Sequence, residues 1–342
     1  MKKYLILADG NSTHTLKWVK ELSKYFIVYV ISFNGFSDDV LSYLPMKNCF
    51  NIKTEISVSG GNFGALRNIK KVSKLLAIIS PHYINAHYIT SYGTVGLLAA
   101  KLIGYKGEII LSAWGSDILV TPKKNYLYKL LTNILLKKAN LVTSDSSYMT
   151  QVIKDICKSA NVMTFPFGIE KMPFISFEDK NYNWYFSNRA LEPNYNVDKI
   201  IEFFSSVYKN NAEARLVIAH DGTERPRLEA MVDNLGLQNC VSFVGFLSET
   251  EQGALYKKCG YYLSVPTSDS TSVSLLEAMA YGCIPMVSDL PANREWIEDG
   301  DNGLIGLKEC CLNKETVFKL NREIIRNKAI WKENIKSFIA GI

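Results

Sequence analysis

Short apolar runs alternate along the chain with longer stretches in which apolar residues return every three or four positions. Residues 4–8, 27–32, 83–86, 109–112, 141–143 and 162–165 are short, predominantly apolar and rich in Val, Ile, Leu and Tyr. They predict strands buried on both faces. Residues 12–24, 90–103 and 146–156 lie between them with helical spacing. The pattern then restarts. Strands are expected at 184–187, 215–219, 241–244, 261–265 and 284–287, and helices at 197–208, 225–234, 249–257 and 273–281. Strand–helix alternation implies parallel sheets covered by helices, and two such sets imply two doubly wound α/β domains. The expected seam is residues 166–183, which have no periodicity and contain Pro166, Gly168 and Pro173. The reading is therefore a domain of residues 1–165 and a domain of residues 166–324. A closing helix over about 325–342 is free to pack back on the first domain.

Composition narrows the class. Of the 342 residues, 47% are hydrophobic and 21% charged, as in ordinary globular proteins. The longest apolar runs, 25–33 and 92–104, fall short of the about 20 residues that span a bilayer, and Lys101 interrupts the second. Met1-Lys2-Lys3 begins like a signal peptide, but the following apolar run ends at Asp9 with no small-residue cleavage site. Seven cysteines without a C-x-x-C pair argue against a disulfide framework or a zinc site. They read as reduced cytosolic thiols, with adjacent Cys310-Cys311 the one candidate for reactivity.

Charge divides the chain. The net +6 is the sum of +11 over residues 1–165 and −5 over residues 166–342. Segments 66–76 and 123–141 each combine an apolar and a basic side at helical spacing. Two readings stand: a solvated helix surface, or docking on anionic lipid headgroups. Nucleic acid ranks third, because no recognition-helix motif and no aromatic-basic strand is present.

Doubly wound sheets bind ligands at the carboxyl ends of their strands, and two facing domains would place a site in the cleft between them. The richest such segment runs from Pro266 to Pro285: PTSDSTSVSLLEAMAYGCIP. A strand ends at Pro266, a polar loop follows, Thr271 or Ser272 is placed to cap a helix, and Gly282 ends it. The amide groups of Thr271, Ser272, Val273 and Ser274 would present unpaired N–H groups and the positive helix end to an anion such as a pyrophosphate. Asp269 lies in the loop. Glu277 lies within the helix, where a carboxylate can accept from both hydroxyls of a ribose. The plainer alternative makes Asp269 a turn residue and Glu277 a surface charge. Leu275, Leu276, Ala278, Met279 and Ala280 crowd Glu277, and a charge so placed needs a partner.

Asp269-x7-Glu277, the following AMAYGCIP and the segment VSDLPANREWIEDGDNGL together resemble glycosyltransferase family 4. The resemblance is specific over some forty residues and weaker over nearly the whole chain. It implies the GT-B architecture, two doubly wound Rossmann-like domains facing across a cleft. It also implies a retaining transferase that uses a nucleoside-diphosphate sugar. Asp269 stands where the family pattern has Glu. Ser187-Asn-Arg189 resembles the family segment that sets an Arg and a Lys on the donor diphosphate. Arg189 matches, and the Lys position falls at about Tyr195. Gly245 and Phe246 resemble the segment whose backbone meets the nucleobase, with uracil and guanine both open. In the first domain, Asp9-Gly10-Asn-Ser-Thr-His14 resembles the acceptor-side loop and Asn85-Ala-His87 the H-x-H region. Ser112-Ala-Trp114-Gly-Ser-Asp117 resembles the H-G-x-D segment, with Trp114 in place of the His that meets the donor sugar. Gly10, His14, His87 and Trp114 are thus acceptor-side candidates, and Arg189, Asp269 and Asp117 catalytic ones. For Asp117 and His14, a helix cap or a structural histidine is the alternative.

No metal-ligand motif is found, and no cofactor besides the UDP- or GDP-linked donor is expected. The expected partners are a nucleotide sugar, a glycan or lipid-linked oligosaccharide acceptor and an anionic membrane surface met by the basic domain. The expected setting is the cytoplasm, peripheral at the inner membrane face, in surface polysaccharide or lipopolysaccharide assembly. Two alternatives stay open: a nucleotide-sugar epimerase of the same fold, and a catalytically weak partner subunit, which Trp114 and Tyr195 would favour. A dinucleotide oxidoreductase is disfavoured because no G-x-G-x-x-G follows the first strand.

Overall fold

The computed structural model describes residues 1–54 and 63–342. Contacts divide the chain into two compact units, Met1–Phe165 and Pro166–Ile342. Each is a parallel sheet wrapped by helices.

The first sheet has the order β3-β2-β1-β4-β5-β6-β7. Its strands are β1 (Lys3–Leu7), β2 (Ile27–Ser32), β3 (Cys49–Asn51), β4 (Tyr83–His87), β5 (Glu108–Ser112), β6 (Leu141–Ser144) and β7 (Val162–Thr164). Its helices are α1 (Thr13–Leu22), α2 (Asp38–Tyr43), α3 (Ile69–Ile79), α4 (Thr94–Leu102), α5 (Ser116–Leu119), α6 (Thr121–Lys124), α7 (Tyr126–Lys138) and α8 (Ser147–Ile156). Beyond β3 the strands advance in one direction across the sheet. Right-handed crossovers therefore place α3, α4, α7 and α8 on one face. Consistently, α3 packs on α4, α4 on α7 and α7 on α8. Leu5, Leu7, Ile84, Leu111 and Val142 of the central strands are buried in one core with Val72, Leu76, Val95 and Leu136 of those helices.

The second sheet has the order β10-β9-β8-β11-β12-β13. It is built from β8 (Asn181–Asn188), β9 (Arg215–Ala219), β10 (Val241–Gly245), β11 (Cys259–Ser264), β12 (Ile284–Val287) and β13 (Leu304–Ile305). Its helices are α9 (Val197–Asn210), α10 (Arg225–Asn234), α11 (Glu249–Lys258), α12 (Val273–Ala280), α13 (Pro291–Arg294), α14 (Lys314–Lys328) and α15 (Trp331–Ala340). Alternate side chains of β8 and β11 enter two cores, Tyr185, Tyr261 and Leu263 on one face and Phe186 and Tyr262 on the other. The closing helix α15 is tied to the start of its own unit. Trp331 N–H donates to the Ile169 carbonyl at 2.8 Å, Asn334 Nδ2 donates to Pro166 O at 2.8 Å, and the Phe167 and Trp331 rings lie 5.8 Å apart. The described residues include all seven cysteines, and none forms a disulfide.

Several elements are absent from the sequence reading: the edge strands β3 and β13, of three and two residues, and the helices α2, α5, α13 and α14. Another differs in kind. The helix expected from residue 90 opens with one π-helical turn, Tyr88–Gly93, and Tyr88 has φ +61°.

Candidate functional site

In the second unit, β11 ends at Ser264, and residues 265–272 form a loop leading into α12. The loop is clipped to the turn that follows β8. Thr267 N–H donates to Asn194 O at 2.7 Å, Asn194 Nδ2 to Ser268 O at 3.0 Å, and Asn196 Nδ2 to Val265 O at 2.8 Å. These bonds fix both loops at the carboxyl edge of β8 and β11, where a doubly wound sheet binds its ligand.

That clip brings Arg189 to the tip of α12. Its guanidinium donates to Asp269 Oδ2 at 2.6 Å, to Ser274 Oγ at 3.2 Å and to Ser272 Oγ, and it lies over the Tyr195 ring at 4.5 Å. Tyr262 completes the cluster, donating to Ser274 Oγ at 2.8 Å. Burial disfavours the charge on Arg189. The Asp269 carboxylate and the Tyr262 and Tyr195 oxygens more than offset it, so its pKa is raised and the cation is permanent. The arginine is therefore a fixed positive charge at the tip of α12.

Ser272 is the N-cap position of α12, but its hydroxyl makes no capping bond. The expectation of an N-cap at Thr271 or Ser272 is met in position by Ser272, without a side-chain capping bond. The Ser272 hydroxyl is turned toward Arg189 and lies 2.9 Å from Ser274 Oγ, while Thr271 Oγ1 faces Trp296 Nε1 at 3.5 Å. The first-turn amides of Val273 and Ser274 have no acceptor inside the helix, and the helix dipole adds about half a positive charge there. At the far end Gly282 has φ +71°, and Gly282 and Cys283 donate back to Met279 O and Ala278 O, both at 2.9 Å. Glu277, half-buried, accepts from Gln252 Nε2 at 2.7 Å. The partner that its apolar neighbours demanded comes from α11.

At the edge of the same sheet Gly245 has φ +70°, and its carbonyl accepts from His220 N–H at 2.6 Å. The turn exposes the Phe246 ring, which packs 4.6 Å from His220. An exposed aromatic face beside a strand end is suited to a nucleobase.

The first-unit candidates gather at the carboxyl ends of β1, β4 and β5. Trp114 is the hub, with ring centroids 4.6 Å from His14, 5.2 Å from His87 and 5.9 Å from Tyr88. Burial, then Lys17, pushes the His14 pKa down to about 4. Burial, then His14, pushes His87 down to about 3. Both imidazoles are neutral at pH 7. Gly10 is required by the fold: a Cβ there would lie 2.3 Å from Gly35 O, and its N–H donates to Ser32 Oγ at 2.9 Å. Asp117 is buried, and its two oxygens accept from Ile89 N–H at 2.7 Å and Trp114 N–H at 3.0 Å. Burial raises its pKa to about 6, with those backbone bonds opposing. Its carboxylate thus joins the π-helical turn to the Trp114 loop and fixes the indole.

Several residues of these clusters carry no local signal in sequence. Asn194, Asn196, Gln252 and Tyr262 acquire their roles from partners distant in the chain. The one available hint is the Asn194-x-Asn196 pair directly after Arg189.

Among the described residues no group of three or more His, Cys, Asp or Glu could hold a metal ion.

Two doubly wound sheets, the second presenting a cationic helix tip at its carboxyl edge, place an anion-accepting surface where such sheets bind ligands. Comparison with known proteins makes the class specific. Residues 3–146 match the family of glycosyl transferase 4-like proteins, and residues 168–333 match glycosyl transferases group 1. Between them the matches span most of the chain, which belongs to this family of GT-B glycosyltransferases. N-acetyl-alpha-D-glucosaminyl L-malate synthase of Bacillus anthracis is 25% identical over 244 residues, covering 67% of this chain and 61% of that protein. Alpha-monoglucosyldiacylglycerol synthase of Acholeplasma laidlawii is 25% identical over 130 residues, covering 38% of this chain and 33% of that protein. The chain thus matches from a third to about three fifths of the length of these relatives. Among solved structures, Anabaena HepE in complex with UDP and glucose superposes with a TM-score of 0.79 over 100% of both chains, at 15% identity. The chain is a glycosyltransferase of GT-B fold.

Proposed function

We propose that the chain moves a sugar, with retention, from a nucleoside diphosphate to a glycan or lipid-linked acceptor, in surface polysaccharide or lipopolysaccharide assembly at the cytoplasmic face of a membrane. The observation that carries the reading is the Arg189 guanidinium, anchored by Asp269 beside the amide tip of α12. UDP is the nucleotide of first choice, because the structurally similar HepE is complexed with UDP. A relative named as a monoglucosyldiacylglycerol synthase supports a lipid-borne acceptor.

The chemistry follows from charge. As the anomeric carbon leaves the diphosphate oxygen, negative charge grows on that oxygen. Arg189 and the N–H groups of Ser272 to Ser274 interact more strongly with it then than before, which lowers the barrier. The acceptor oxygen bonds to the anomeric carbon on the face the diphosphate leaves, and its proton passes to the departing phosphate. No protein base is required for that step. Asp269 orients Arg189 and sugar hydroxyls, Glu277 takes the ribose diol, and Phe246 flanks the base. In the first unit Trp114, with His14 and His87 neutral beside it, offers an apolar ring face to a sugar. The anionic diphosphate is met by protein groups alone.

Arg189→Ala tests the reading. Turnover is expected to fall by about 10²–10³, as for loss of one preorganised donor, with the melting transition still cooperative. Unchanged release of nucleoside diphosphate would remove Arg189 from the site.

A further inference from the structure

The ladder between β9 and β10 breaks as it reaches the carboxyl edge. Phe243 pairs with Ile218 and Gly245 with Ala219, so Val244 is an extra residue and β10 bulges there. Past the bulge Gly245 takes φ +70°, and Phe246 leaves the sheet with its ring in water. On the facing strand end His220 has φ +79°. Among the residues of the second unit only Asn196 and His220 combine a positive φ with a side chain. Asn196 belongs to the clip that holds the loop of residues 265–272.

A positive φ costs a residue that carries a Cβ, and it persists where neighbours impose it. They do so at His220. Its N–H donates to Gly245 O at 2.6 Å and closes a bridge between the two strand ends. Leu191 N–H donates to Asp221 O at 3.0 Å. The Asp221 carboxylate accepts from Gly222 N–H at 2.8 Å and from Arg225 Nη1 at 3.2 Å. A Cβ at Gly222 would lie 2.3 Å from Leu191 O, so the turn closes directly on the chain after β8. His220 Nδ1 lies 3.2 Å from Asp221 O, which can only accept, so Nδ1 carries a proton and the ring is oriented. The product is a fixed pair of rings, His220 and Phe246, with centroids 4.6 Å apart and planes inclined by 58°. Neither ring belongs to the apolar cores of the unit. One exposed Phe needs no explanation. A Phe steered outward by a bulge and braced by a ring on a strained backbone does.

We infer that His220 is a positioning residue for nucleobase recognition. Its imidazole, locked by the turn after β9, braces the Phe246 ring in the orientation on which the base stacks. Glycine at 220 would relieve the backbone and leave Phe246 free to turn, so its cost falls on base recognition and not on the fold. The inference rests on the reading that the second unit holds a nucleoside diphosphate, and it adds the residue that fixes the stacking ring.

The test is calorimetric titration of the full chain with UDP, GDP and inorganic diphosphate. Phe246→Ala and His220→Gly are each expected to weaken nucleotide binding by about tenfold, the scale of one stacked base, and to leave inorganic diphosphate binding unchanged. The double variant should be no more than about twofold weaker than Phe246→Ala, because both changes act through one ring. His220→Phe keeps a ring at that position and should restore most of the affinity. The melting midpoint of His220→Gly should equal or exceed that of the wild type, because glycine adopts positive φ freely. Wild-type nucleotide affinity in His220→Gly, an equal loss toward nucleotide and inorganic diphosphate, or losses that add in the double variant would each overturn the inference. A wild type that binds inorganic diphosphate and gains nothing from the nucleoside overturns it too, while the diphosphate reading stands. A wild type that binds none of the three removes the diphosphate reading itself, and the role of His220 with it.

Discussion

Arg189 and Asp269 are legible in the chain as separate candidates, and the structure joins them. Their 2.6 Å contact makes Asp269 the group that aims Arg189, so the two do not act independently. Tyr195 shows a second way of handling charge. It stands where the family resemblance places a lysine, and it lies under the guanidinium as a cation–π partner. Asn194, Asn196 and Gln252 were not legible, because a polar side chain reveals nothing locally about a partner 25 to 74 residues away. The ribose assignment rests on Glu277 and is testable by itself. Glu277→Ala is expected to weaken nucleoside-diphosphate binding by about 1.5–3 kcal/mol, the scale of a hydrogen bond to a charged group. Calorimetric titration at wild-type affinity would rule that role out.

At the scale of elements, most long periodic segments read correctly, but the 15-residue α14 was not expected and the short edge segments were not read. α10 spans the expected residues, and α12 is one residue shorter than expected. β3 and β13 are too short to show alternation, and their pairing is set by neighbours already in the sheet. The π-helical turn at Tyr88–Gly93 was invisible because its apolar content matches an α-helix. Its register is held from outside, by Asp117 accepting Ile89 N–H. α12 depends on Gly282 to stop where it does. A Cβ at Gly282 would lie 2.1 Å from the Phe318 ring, at φ +71°. Gly282→Ala therefore combines backbone strain with a clash and is expected to destabilise by at least about 2 kcal/mol. A thermal melt should show it as a drop of several degrees, and an unchanged midpoint would show that α12 tolerates another ending.

At the scale of the molecule, the two halves carry opposite charge, +11 over residues 1–165 and −5 over residues 166–342. In the acidic half the positive charge at the site is concentrated at Arg189 and a helix tip. The first unit also predicts an acid response. His14 and His87 stay neutral in the fold down to about pH 4 and about pH 3, whereas an unfolded His takes its proton near pH 6.5. As pH falls below 6.5 the unfolded chain binds these two protons first, and stability is lost. Asp117 has the opposite sign. Raised to about 6, it is protonated in the fold before it is in the unfolded chain, and it returns one proton's worth between about pH 6 and pH 4. The net loss is about one proton, or about 1.4 kcal/mol per pH unit over that window. Melting of His87→Gln against pH should show that slope removed, and an unaltered slope would clear His87 of the effect. The two-domain plan and the loop-and-helix of residues 265–282 were readable because each is written in contiguous sequence. The aromatic hub around Trp114 was not, because three separate strand ends contribute to it.

The account stands on one contact, a diphosphate held by Arg189 and the amide tip of α12. The direct measurement is a crystal structure of the chain with UDP. The account predicts the phosphates within hydrogen-bond distance of the Arg189 guanidinium and the N–H groups of Ser272 to Ser274, with the ribose on Glu277. A nucleotide bound away from that helix tip, with Arg189 still engaged only by Asp269 and the serines, would contradict it.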